Sequence, residues 1–328
     1  MTTGTWLFAL LLASETIGLG GDGQRPEPST TTRPSPPGES RRQPELVSLL
    51  GGPLFATPSG DLKKLEAALA GARAEMADHP DDPDKAVWVG RRLGYLWRMN
   101  EAIGVFSAGI EKWPDYAPLY RHRGHRHISV RRFDEAVADL EKAARLIEGQ
   151  PEEVEPDGMP NAANIPLTTT PFNVWYHLGL ARYLKGDFQG ALRAYQETMK
   201  YSRRYEDNLV ATTHWMYMTL RRLGREQEAA ALLEPIGPDM KIMENAAYHR
   251  LTLMYKGLNK PEELLEARDA GDLDRATTGY GVGNWYYYNG QTRRAAEVWR
   301  QVVAGPNWPA FGFIAAEVEL ARSSSHPR

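Results

Sequence analysis

Residues 175–198, WYHLGLARYLKGDFQGALRAYQET, constrain this chain more than any other stretch. Trp175 is followed by Leu178-Gly179, by Tyr183 four past the glycine, by the corner Gly186-Asp187-Phe188, and by Ala191 and Tyr195 four apart. Large residues at helical spacing on both sides of a tight corner describe two short helices packed antiparallel. The small residues Gly179 and Ala191, twelve apart, sit where the two backbones approach. A unit of this kind cannot bury its apolar face alone, so it calls for neighbours built the same way.

The neighbours are present. Gly90 and Ala102 stand at the same twelve-residue separation, with Gly109 beyond them and Pro114 ending the second helix. Gly124, Ala136 and Ala143 repeat the pattern 34 residues later, around Tyr120 and Phe133. Gly179, Ala191 and Thr198 make the third copy. The fourth has Tyr217 at its first small position but keeps a Leu223-Gly224-Arg225 turn and Ala229. The fifth has a Lys256-Gly257 turn and a short second helix from Pro261, and the sixth carries Gly283, Gly290 and Ala295 in register.

On these residues the chain resembles the tetratricopeptide-repeat (TPR) proteins, over about residues 61–322. The resemblance implies an all-α fold: a right-handed α-solenoid of about six helix pairs. They are expected near 83–116, 117–148, 172–205, 210–243, 244–272 and 276–309. A flanking helix capped by Asp61 precedes them, with Leu62, Leu65, Leu69, Ala72 and Met76 on one face. Residues 311–322 form a last helix, with Phe313, Ala316 and Leu320 inward, expected to cap the open end of the stack. Residues 149–171, GQPEEVEPDGMPNAANIPLTTTP, are a Pro-rich acidic insertion between the second and third units.

The ends read differently. Residues 6–13, WLFALLLA, are an apolar run of signal-peptide length, too short to span a bilayer as a helix. Residues 1–21 are therefore expected to be a leader, with Gly18-Leu19-Gly20 as a candidate cut, although no Lys or Arg precedes the run. Export to the periplasm or outside the cell follows, with a cytoplasmic location as the alternative, and no transmembrane span is left once the leader is removed. Residues 22–60, rich in Pro, Ser and Thr, read as a disordered linker, and 323–328 as a disordered tail.

The resemblance also assigns the first helix of each pair to the concave face. That face takes Trp88, Arg91 and Tyr95 from the first unit, then Arg121, His122 and His125 from the second. The third adds Tyr176, His177 and Tyr183, and the fourth His214, Trp215, Met218 and Arg221. Tyr248, His249 and Tyr255 follow from the fifth, with Asn284 and Tyr287 from the sixth. Five of the eight histidines fall here among aromatics and arginines, while carboxylates are scarce. Such side chains combine rigid contact area with a polar handle. The expected function is a scaffold that holds a peptide, a protein segment or a glycan in this groove.

Other functions read less well from the residues. With a net charge of −3 and an isoelectric point near 6.3, the chain has no general field for nucleic acid. It has no cysteine, so thiolate metal sites and a Cys nucleophile are excluded. No G-x-S-x-G, Walker A or H-E-x-x-H sequence occurs. An enzyme would have to draw on His177, His214 and His249, and a divalent metal on His122, His125, His177 and His214; no other cofactor is called for. The carboxylate clamp of chaperone adaptors is not reproduced, because its positions hold Val87 and Arg91, Arg121 and His125, and Tyr176 and Leu180. Self-assembly into a homo-oligomer through exposed end faces is a further alternative.

Overall fold

The computed structural model describes residues 43–266 and 271–325, so the leader, most of the linker and the last three residues lie outside the described residues. Helix α1 (Leu62–Asp78) begins at Asp61, whose carboxylate accepts from the Lys64 N–H. Helices then alternate with short corners: α2 (Pro83–Tyr95) with α3 (Met99–Lys112), α4 (Ala117–Ser129) with α5 (Phe133–Leu146), α6 (Thr170–Lys185) with α7 (Phe188–Lys200). They continue as α8 (Glu206–Arg222) with α9 (Glu226–Leu232), α10 (Ala246–Tyr255) with α11 (Pro261–Leu265), and α12 (Asp272–Tyr288) with α13 (Thr292–Val303). Helix α14 (Phe311–Ser325) closes the array. The two helices of each pair pack together and the first helices of successive pairs pack on one another, the stacking that defines an α-solenoid.

The repeated small residues do what their spacing implies. A Cβ on Gly179 would lie 2.6 Å from the Tyr195 ring, and one on Gly283 2.5 Å from Trp299. The glycine of one helix thus receives the large side chain of the next. The corners are equally regular, with a left-handed residue following the first helix of every pair: Trp97 and Arg131 in the first two, then Gly186, Gly224, Gly257 and Gly290.

Three expectations about the ends need correction. Order does not wait for Asp61: residues 46–47 (β1, Leu46–Val47) and 53–54 (β2, Pro53–Leu54) pair as a small hairpin whose Leu46 and Leu54 pack on the main core. Within the expected linker, the stretch around residues 46–54 is therefore structured, as Leu46 and Leu54 bury apolar side chains against the core. At the other end, the helix expected to stop at 322 continues to Ser325, into the expected tail. The third correction concerns its place. A cap would keep one face in solvent, whereas every residue from 312 to 320 of α14 is buried. The solenoid curls far enough that α14 lies across its inner face, reaching Arg131 of the second pair, Leu184 of the third and Arg222 of the fourth.

Candidate functional site on the concave face

One part of the concave face holds α14. Glu317 is wholly buried and meets the Arg131 guanidinium at 2.7 Å; its other oxygen accepts from the Leu49 N–H at 2.8 Å. Arg131 also donates to the Trp308 carbonyl, and Trp97 meets the Trp308 ring edge-on at 5.6 Å. Two residues along α14, Glu319 faces Arg222 through bonds of 3.0 and 3.2 Å, while Arg222 lies over the Tyr287 ring. Asn284 completes this polar layer, accepting from Arg222 and donating to the Tyr183 hydroxyl. Phe311, the first residue of α14, packs on both His125 and His177, whose rings stand 4.4 Å apart. Burial holds both imidazoles well below the usual histidine range, with nearby arginines adding to the effect.

Another part is crossed by the 149–171 insertion, here called the strap. Val154 pairs with Thr169 as an isolated bridge, so the strap leaves and returns as a short ribbon. Between these points it runs over the face. Arg91 donates to the Pro156 carbonyl at 2.8 Å and Arg92 to the Gly158 carbonyl at 2.9 Å. Glu155 pairs with the buried Arg121 at 3.0 Å, and Arg121 also meets His122 Nδ1. Further along, Asn208 donates to the Leu167 carbonyl, and Asn161 to Glu244. A 160 Å³ cavity lined by Arg91, Arg121, Asn173 and Glu244 remains beneath the strap. Arg126 stands beside it, packed against Gly94 and the Met99 sulfur, with its pKa lowered to about 10 by burial and by the charge of Arg121.

The remaining concave residues form an internal aromatic layer. His214 lies between the Tyr248 and Tyr255 rings and meets the Tyr255 hydroxyl at 3.1 Å; burial lowers its pKa to about 3. Trp215 and Tyr176 both donate to the Tyr248 hydroxyl, and Met218 is fully buried. Arg221 stacks over Tyr288, and His249 meets the Gly237 carbonyl. Trp88 lies under the Arg91 guanidinium, and Tyr95 meets the same arginine.

The open groove expected from the sequence is therefore corrected. Its residues do share one face, but α14 and the strap cover that face, and most of the expected side chains are interior. Among the described residues the candidate histidines do not gather into one set. His177, His214 and His249 each serve a different neighbourhood. Among the described residues no group of three or more His, Asp or Glu side chains is placed to hold a metal ion. His122 stacks on Phe106 beside Arg121, and His214 is enclosed by tyrosines.

Sequence reasoning missed Arg131, Arg222, Glu155, Glu317, Glu319 and Phe311. A signal for part of this set was present: Glu317-Val318-Glu319 interrupts an otherwise apolar helix, and buried carboxylates require partners.

Outside the concave face, a cleft of 710 Å³ opens between α5 and the pair α6/α7. Trp175 is partly buried and helps to floor it with Leu178 and Tyr201.

No family model matches the chain, and no curated protein matches it. Among solved structures it is similar to YrrB, described as a TPR protein with an unusual peptide-binding site. Identity there is 16%, coverage 79% of this chain and 99% of that one, and the TM-score 0.41. A tetratricopeptide repeat protein from Parabacteroides merdae gives 12% identity, coverage of 78% and 93%, and a TM-score of 0.47. A putative kinesin light chain of Podosopora anserina with TPR-like repeats gives 17%, 69% and 95%, and 0.41. These neighbours are TPR proteins; the solenoid itself is read from the helix pairing of this chain.

Chemically, the face offers guanidinium groups and aromatic rings to a polypeptide laid across it. Burial holds His122, His125, His177 and His214 below the usual histidine range.

Proposed function

We propose that this chain is a non-catalytic interaction scaffold that holds an extended segment of a partner protein on the strap side of its concave face. The observation that carries this reading is the way Arg91, Arg92 and Arg121 grip the strap. They take two main-chain carbonyls and one carboxylate from a stretch of extended polypeptide. Side chains that bond main-chain carbonyls recognise extended polypeptide whatever its sequence, and a neighbouring carboxylate contact adds selectivity. The carbonyl contacts favour a polypeptide ligand over a glycan.

A displayed library of random twelve-residue peptides tests this. The parent protein is expected to enrich a shared motif, and the double variant Arg91→Ala/Arg121→Ala, with unchanged helical content, is expected to lose it. Equal enrichment by the two proteins, or none by the parent, would end the proposal.

A further inference from the structure

The strap side of the concave face gathers four guanidinium groups, on Arg91, Arg92, Arg121 and Arg126, around a cavity whose carboxylates are Glu155, Asp157 and Glu244. Among the described residues the carboxylate that pairs with any of them is Glu155. Arg121 is buried, with its Nε lacking a hydrogen-bond partner. Among the same residues Arg126 finds only a thioether sulfur. A buried cation without a counter-charge is costly, so this arrangement favours an additional anionic group.

The element that now supplies the counter-charge is shallowly held. Residues 149–171 contain four carboxylates and no Lys or Arg. Prolines at 151, 156, 160 and 166 keep the strap extended and limit its ladder bonds. Its Val154, Met159 and Ile165 side chains are 43%, 62% and 40% exposed, so its apolar residues do not anchor it. Gly158 and Leu167 are its buried points before Thr169 and Pro171 lead into α6. Helix α14 is the opposite case, buried throughout 312–320 and part of the core.

We propose that residues 151–158 are an internal occupant of a site for acidic, extended peptides, and that a partner segment bearing carboxylates displaces them. This rests on the scaffold reading above and names the chemistry of its partner. The incoming carboxylates pair with Arg121 and Arg126, its main chain replaces the carbonyls of Pro156 and Gly158, and the strap swings out as an exposed loop. α14 stays in place throughout.

The test uses a fluorescent peptide copying residues 150–161 of this chain, titrated by polarisation against three full-length proteins. These are the parent, Glu155→Gln, and a variant whose residues 151–166 are replaced by a Gly/Ser linker of equal length. Losing one charge-assisted contact from the strap is expected to tighten probe binding by about tenfold in Glu155→Gln. The linker variant is expected to bind more tightly still, and a probe with all its carboxylates changed to amides is expected to lose about tenfold or more on either variant. If the linker variant fails to fold, Glu155→Gln decides alone. Variants that melt like the parent yet bind the probe no better overturn the inference. So does equal binding of the amide probe. Should the library motif still be enriched in that event, the scaffold reading stands and only the strap's role falls.

Discussion

Two residues sit where glycine would be expected and explain how the solenoid is closed. Trp97 and Arg131 adopt φ of 58° and 63°, at corners where the later pairs use Gly186, Gly224, Gly257 and Gly290. A left-handed conformation costs a non-glycine residue roughly 1 kcal/mol. Both side chains grip the approach to α14, Trp97 against Trp308 and Arg131 against Glu317. Arg131→Gly therefore sets backbone relief against a buried charge left alone. Breaking a buried ion pair costs roughly 3–5 kcal/mol, so a net loss of about 2–4 kcal/mol is expected in urea unfolding. A gain in stability would show that strain outweighs the pair. His214 gives a second measurement at this scale. Its folded-state pKa of about 3 lies below the unfolded value near 6.5. Above that unfolded value the group is neutral in both states. As pH falls below it, the unfolded chain takes up a proton that the folded chain refuses, and stability declines toward the folded pKa. Between about pH 7.5 and pH 5.0, His214→Phe should therefore lose about 2 kcal/mol less than the parent. An unchanged pH slope would mean that His214 is hydrated and titrates normally.

At the scale of elements, the sequence was most legible where one small residue faces one large one. Gly179 and Tyr195, or Gly283 and Trp299, stand at the same separation on the two helices of a pair and meet in space. Gly179→Ala forces a methyl into the Tyr195 ring and should cost about 1–3 kcal/mol. Gly104 lies in the interior of α3, and nothing stands within 4 Å of the place its methyl would take. Gly104→Ala should stabilise by about 0.5–1 kcal/mol. Thermal melts of the two variants moving in the same direction would contradict the close approach of glycine and ring. The strap and α14 were harder to read for a physical reason. The strap carries few apolar side chains, so no periodicity reveals where it lies. The apolar pattern of α14 is equally compatible with an end cap and a buried helix, because hydrophobicity does not say against what a face is buried. Only Glu317 and Glu319 separate the two, and their partners Arg131 and Arg222 lie 186 and 97 residues away.

At the scale of the whole molecule, curvature decides the fate of the concave face. It accumulates from small rotations between successive pairs, and no single residue records it. The face's composition was therefore visible in Arg121, His177, Trp215 and Asn284, while its burial was not. Once the array curls onto α14, aromatics that could have served a ligand become core, and His177 and His214 become buried among them. What remains for recognition is the arginine-rich part under the strap. Hydrogen exchange across the intact chain tests this division most directly. Residues 312–320 should exchange as slowly as α6, with protection approaching that of global unfolding, while residues 150–166 should exchange orders of magnitude faster. Rapid exchange in α14, of the kind a fraying terminal helix gives, would contradict a concave face filled by the chain itself.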